Sequence, residues 1–289
     1  MRPRRVLACL IVTLMGVSRI PLSATAAHPA GGTNALLLRY RFMVGQRLTY
    51  RIVSTSETKA QLNLHGTTHR FAPRIQRWVI VVQWHVVGVA PTGVATIAER
   101  VGRVTVTHSV RAGARIYMRT YTDSGGRTRA VTLARDGTQR PTGPTDGTGA
   151  TIDTATLGTL PIGPVRPGDT WTSSSPSILT GRPVAVRHIL IGLGYAGGEP
   201  VAIVDSVRHI DDTARITDYA SVAVLPPQQQ AHEVVTETER MLIGLTTGHL
   251  LSRRSQSHLD LTLRAQQAGP WPVERVHVDD QTIMERLGS

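Results

Sequence analysis

The chain has 289 residues, 40% hydrophobic and 18% charged, enough to bury a sizeable core, and its length suggests about two domains. The formal charge of +12 rests almost wholly on arginine, since Lys59 is the single lysine. Those arginines are scattered rather than gathered into a basic stripe with a recognisable motif, which argues against nucleic-acid binding. One cysteine excludes a disulfide framework, a Cys-based zinc site and an iron–sulfur cluster.

Residues 1–27 read as a signal peptide. Arg2, Arg4 and Arg5 precede an uncharged apolar run over residues 6–17, and Ala24-Thr25-Ala26 supplies the small residues of a cleavage site. The run is too short to cross ~30 Å of hydrocarbon as a helix. The expectation is therefore a secreted or cell-envelope protein with no transmembrane span after cleavage. Cys9 leaves with the signal, and so do four arginines (Arg19 is the fourth), lowering the charge from +12 to +8.

An N-terminal β-meander is expected over residues 28–134. Leu38, Tyr40 and Phe42 alternate with Arg39, Arg41 and Met43, and Leu48, Tyr50 and Ile52 repeat the period of two after Gly45. Over residues 78–89 one face carries Trp78, Ile80, Val82, Trp84 and Val86. The other carries Val79, Val81 and Val87 with Gln83 and His85, predicting a strand covered on both sides for much of its length. Ala90-Pro91-Thr92-Gly93 turns the chain, and the returning strand should bulge at Gly102. Residues 117–121 and 127–133 read as a hairpin turning at Ser124-Gly125-Gly126.

Residues 135–156 are rich in Gly, Thr and Pro and read as a loop or linker. A C-terminal β-meander follows over 157–289 and echoes the first. Gly168 before Trp171 answers Gly45 before Tyr50. Ile191-Gly192 with Ala202-Ile203 answers Val87-Gly88 with Thr96-Ile97, and the hairpin over 240–251 answers that over 117–133. The fold class is mainly β, with long antiparallel meanders forming curved sheets or half-barrels, an internal duplication and few helices. In the late hairpin, placing Leu245 opposite Gly248 sets Glu239 against Arg254 and Arg240 against Arg253. The like-charged pair predicts either a one-residue shift or an acidic neighbour on the adjoining strand. The polar run over 253–258 is expected to face solvent.

Several stretches carry a resemblance. Tyr40-Arg41-Phe42-Met43-Val44-Gly45 followed by Tyr50 resembles the opening of an uncharacterised family of secreted bacterial β-rich proteins, a domain of unknown function. Leu160-Pro161 with Val165-Arg166-Pro167-Gly168-Asp169-Thr170-Trp171 resembles its middle signature, and Thr247-Gly248-His249-Leu250-Leu251-Ser252 its late hairpin. The resemblance implies a fold and an envelope location but no reaction. The long curved sheets of that family are similar to lipoprotein-carrier half-barrels, a comparison of fold alone.

The chemical motifs are thin. Asp123-Ser124-Gly125-Gly126 resembles a serine-protease nucleophile loop, yet Thr122 and Arg127 stand where that loop has glycine and proline, and its histidine counterpart, His28, sits at the new N-terminus. His65 and His69 on one extended face lie ~13 Å apart at ~3.3 Å per residue, too far to share a metal without a tight turn at Gly66. No phosphate loop or dinucleotide fingerprint is present. No catalytic, cofactor or metal residue is assigned, and the chain is expected not to be an enzyme. Two functions remain. One is binding of an apolar or amphipathic ligand, such as a lipid, on a curved sheet lined by Tyr40, Phe42, Trp78, Trp84, Tyr117 and Trp171. The other is a surface interaction or structural module with a filled core, partnered by another envelope protein.

Overall fold

The computed structural model describes residues 35–112, 115–126, 128–141, 157–177, 179–216, 229–265 and 273–288. Residues 1–27, expected as a signal peptide, and most of the expected loop, residues 142–156, lie outside the described residues. The strands are β1 (Arg47–Leu64), β2 (Thr67–Arg70), β3 (Arg74–Val89), β4 (Ala95–Ala112), β5 (Arg115–Asp123), β6 (Thr128–Leu133) and β7 (Gln139–Pro141). They continue as β8 (Thr170–Pro176), β9 (Pro183–Ala196), β10 (Glu199–Ile216), β11 (Gln229–Gly244), β12 (Leu250–Ala265) and β13 (Val273–Arg286). All belong to one antiparallel sheet of thirteen strands in the order β7-β6-β4-β3-β1-β13-β12-β11-β10-β9-β8, with β2 paired to β1 and β5 to β4. The two meanders thus join through the β1–β13 ladder. There is no helix among the described residues.

The sheet curls. On a flat sheet β6 and β11 would lie about 29 Å apart, six strand spacings. Yet the consecutive amides of Tyr40 and Arg41 donate to Arg135 O after β6 and to Gly248 O after β11. Two adjacent residues, ~3.8 Å apart at Cα, reach both turns only if the sheet bends round them. Residues 35–44 were expected to open the meander as a strand. They instead form an extended segment on the inner face, bridged to the sheet's other half where Leu36 pairs with Val165. Their alternation holds all the same: Leu38 and Tyr40 point into the core, and Arg39 and Arg41 away from it.

The inner face carries three zones. At one end Tyr40, Tyr50, Trp84, Leu190 and Met241 belong to a single core cluster. At the other, Ile210, Val235, Leu259, Leu261 and Val278 form a second, capped by Leu179. Between them runs a polar belt that includes Ser54, Ser56, Ser206, Glu237, Glu239 and Asp280, on strands whose pairing sets them side by side.

The echo between halves is visible in the hydrogen bonds. Gly45 N donates to Val86 O and Val86 N to Gln46 O; Gly168 N donates to Leu190 O and Leu190 N to Asp169 O. Both glycines lie at positive φ, 81° and 94°, where a side chain would be strained. A bulge follows each: Val87 is left out between the Val86–Ile97 and Gly88–Thr96 pairs, and Ile191 between Leu190–Val204 and Gly192–Ile203. In this frame Trp171, opposite His188, answers Leu48, opposite Trp84, rather than Tyr50.

Three local expectations change. β5 and β6 do not pair with each other but lie end to end along β4, β5 on Val104–Ala112 and β6 on Ala95–Arg100. The reason is the bulge at Gly102. Gly126 N donates to Val101 O, and a Cβ on Gly125 would fall 1.8 Å from Gly102 O, so the glycines let the chain step past the bulge instead of turning back. The outer face of β3 is not covered either: Gln83, His85 and Val87 are exposed, and Val79 and Val81 are half-buried. Finally, β11 and β12 pair one residue away from the expected register, with Glu239 opposite Ser255 and Arg240 opposite Arg254. The two arginines are still neighbours, and acids on the flanking strands compensate them. Arg240 is held bidentately by Asp205 at 2.7 Å, and Arg254 Nη2 lies 3.8 Å from Glu285. Only Gln256 and His258 of the polar run are exposed; Arg253 is enclosed against Glu239.

Candidate functional site: the inner face of β3, β4 and β5

Strand β3 presents Trp84, Val82, Ile80, Trp78, Gln76 and Arg74 to the inner face, because alternate residues of a strand share a side. The first of these are sealed. Residues 35–44 and 157–167 lie across this end of the sheet and are tied to each other. Tyr40 Oη donates to Gly158 O at 3.1 Å, and the Arg39 guanidinium donates to the carbonyls of Pro161 and Ile162. Leu157, Leu160 and Val165 complete the same core. Gly158 fits because it has no side chain: a Cβ there would meet Met241 Sδ at 2.0 Å.

The six aromatic positions singled out in the sequence divide accordingly. Trp84 is 2% exposed, its Nε1 donates to buried Glu99 Oε2 at 3.0 Å, and Arg129 closes the group at 2.6 Å. Tyr50 meets the Trp84 ring edge-on at 4.9 Å. Tyr40 is fully buried, and burial pushes its phenol, like that of Tyr50, well above the ordinary tyrosine range. Phe42 packs on Tyr40 at 6.5 Å. Trp171 stacks on His188 at 5.3 Å and donates to Thr159 O. His188 lies between the hydroxyls of Ser173 and Ser206, and burial lowers its pKa to about 4. Trp78 packs against the same core at its margin, but its Nε1 is buried with no acceptor. Tyr117 is 58% exposed and lies away from the other five.

Beyond Trp78 the inner face is open. Register sets Trp78 beside Val106 and Tyr121, Gln76 beside His108 and Arg119, and Arg74 beside Val110 and Tyr117. Tyr121 is 54% exposed and meets His108 edge-on at 5.8 Å. The strip therefore mixes apolar and aromatic surface with the cations Arg74 and Arg119. Sequence reasoning singled out Trp78 and Tyr117 here but passed over Tyr121, His108 and Arg119. Their alternation was visible, and only the pairing of β5 with the far half of β4 brings them to Trp78.

Two other features stand apart. A shallow hollow on the outer face is lined by Thr213, Gln230, His232, Thr262 and Arg264, all polar. Also on the outer face, His258, His277 and Asp279 bring three metal-ligating atoms within 4.8 Å of one another. Sequence reasoning assigned no metal ligands. His65 and Gly66, both at positive φ, make the tight turn between β1 and β2, and His65 and His69 are both exposed.

No family model matches the chain, and no curated protein matches it. Among solved structures it is similar to lipovitellin, in a structure described as lipid-protein interactions in lipovitellin, with a TM-score of 0.48 and 10% identity. The match covers 86% of this chain and 26% of the lipovitellin chain. No helix among the described residues is long and apolar enough to cross a membrane.

Proposed function

We propose that this is a non-enzymatic exported protein of the cell envelope that binds an amphipathic acid along the open strip of β3, β4 and β5. The observation that carries the reading is Trp78. Its Nε1 is a buried donor without an acceptor, at the head of an open strip on which Val106, Val110, Tyr117 and Tyr121 are interleaved with Gln76, His108, Arg74 and Arg119. A buried donor left unpaired costs about 1–3 kcal/mol, which an acceptor on a ligand would relieve. An acyl chain suits Val106, Val110, Tyr117 and Tyr121, and a carboxylate or phosphate suits the guanidiniums. Solvent extraction and mass spectrometry of the purified mature protein test this. An acyl-chain acid should co-purify and be depleted in Trp78→Phe and Tyr121→Ala; ligand retained in both variants contradicts the site.

A second reading, an interaction module with a filled core, is favoured by the sealed end, where the chain's own segments occupy the inner face. Among the described strands β5 pairs with β4 alone, and it exposes Ile116 and Met118 on its outer face as well. Such an edge suits strand pairing with another envelope protein. An extract without ligand, together with a partner lost on β5 substitution, would favour this reading.

A further inference from the structure

We propose that His258, His277 and Asp279 form a binding site for a zinc-type divalent cation on the outer face of β12 and β13. His258 stands directly opposite Asp279, while His277, two residues before Asp279 on the same face, stands opposite Asp260. Pairing thus gathers side chains from two strands into a triangle. His258 Nδ1 lies 2.6 Å from Asp279 Oδ1, and His277 Nε2 lies 3.3 Å from Asp279 Oδ2. A tetrahedral zinc with bonds of ~2.0–2.1 Å spaces its ligand atoms by about 3.3–3.4 Å. The second distance already fits, and the first needs to open by less than ~1 Å, within reach of side-chain rotation.

The surroundings favour a cation over a chance cluster. Asp260 Oδ1 accepts from His277 Nδ1 at 2.8 Å, which leaves the Nε2 lone pair aimed at Asp279. A carboxylate behind a ligating imidazole is the arrangement that orients histidine in metal sites. Charge points the same way. Around the two imidazoles the carboxylates of Asp279, Asp260 and Glu57 outnumber the cations Lys59 and Arg275 of the same face, a local excess of negative charge in a chain of formal charge +12. Lys59 Nζ sits 3.5 Å from Asp279 and 3.4 Å from Glu57, so an arriving cation can displace the ammonium without leaving it unpaired. The site is open, with the His258 side chain 54% exposed, so water can complete the coordination. Two nitrogens and one carboxylate select zinc, copper or nickel over calcium and magnesium. Both strands are paired on each side, which holds the donors on a rigid support.

Titration calorimetry of the mature full-length protein with zinc chloride in chelator-free buffer tests the site, with calcium chloride as comparison. One equivalent of zinc should bind saturably. His258→Gln and His277→Gln should each weaken binding tenfold or more, Asp260→Asn less than these, and Lys59→Ala should strengthen it. Thermal melts of the metal-free variants establish that each is folded, and His65→Gln with His69→Gln serve as surface-histidine controls. Binding that is non-saturable, equally tight for calcium, or lost in the controls but not in His258→Gln and His277→Gln overturns the proposal.

Discussion

Trp84 and Trp78 lie on the same strand, on the same face and only three alternations apart, yet they end in opposite circumstances. Trp84 is sealed under residues 35–44 and 157–167, with Glu99 accepting from its indole; Trp78, at the edge of that cover, has a buried donor and no acceptor. On this face the strand is apolar from Val86 through Trp78 and turns polar only past it, at Gln76 and Arg74. What differs is the cover, a pair of extended segments drawn over one end of a curled sheet and stopping short of the other. A sheet face becomes core or candidate binding surface according to what is laid over it.

The comparison breaks most readily at the sealed end. Trp84→Ala removes the largest side chain of that region and leaves Glu99 buried without its indole partner. It should cost about 3–5 kcal/mol, read as a fall in the urea midpoint. The polar belt gives the next effect. Burial, with the nearby Glu237 carboxylate, raises the pKa of Asp280 to about 9, and its Oδ1 has no hydrogen-bond partner. The folded state therefore holds this proton more tightly than the unfolded chain, whose carboxyl titrates near ~3.9. The stabilisation is complete below that pH and is lost as the pH rises toward 9. Asp280→Asn should thus be more stable than the parent by about 1–3 kcal/mol at pH 8 and nearly equal at pH 4. Comparing variant with parent at each pH cancels the opposite trend from His188, whose lowered pKa of about 4 withdraws stability as the pH falls from 6.5 to 4.

Tyr40→Phe sharpens the account of the cover. It deletes the hydroxyl that ties residue 40 to Gly158 and should cost about 0.5–1.5 kcal/mol. Protease digestion should then cut earlier within 157–167 while the sheet stays intact. Tyr121→Ala gives the smallest change, within ~0.5 kcal/mol of the parent, because the ring is mostly in solvent. A loss of several kcal/mol there would mean that the strip belongs to the core.

Much of the sheet was legible because strand alternation is local. The row from Trp78 to Val86, the bulge at Gly102 and the paired Gly45 and Gly168 all follow from periodicity and glycine chemistry. The cover was legible only in part. Leu38 and Tyr40 announce a buried face, but nothing local says that their segment lies on the sheet rather than in it. The Ser124-Gly125-Gly126 stretch has hairpin composition, and only the bulge on β4 makes it a step instead of a turn. Arg240 and Arg254 show the same limit, since the conflict was readable while its resolution by Asp205 and Glu285 depends on neighbours distant in the chain. The outer-face histidines were invisible for that reason too: His258 and His277 meet only through the register of β12 and β13.

Quenching by a brominated fatty acid tests the central claim most directly, because bromine quenches only the indoles that it reaches. The parent protein should lose fluorescence saturably on titration, Trp84→Phe should lose it likewise, and Trp78→Phe should not. Quenching that survives in Trp78→Phe and disappears in Trp84→Phe would place the ligand under the cover and contradict the division of the inner face into a sealed end and an open one.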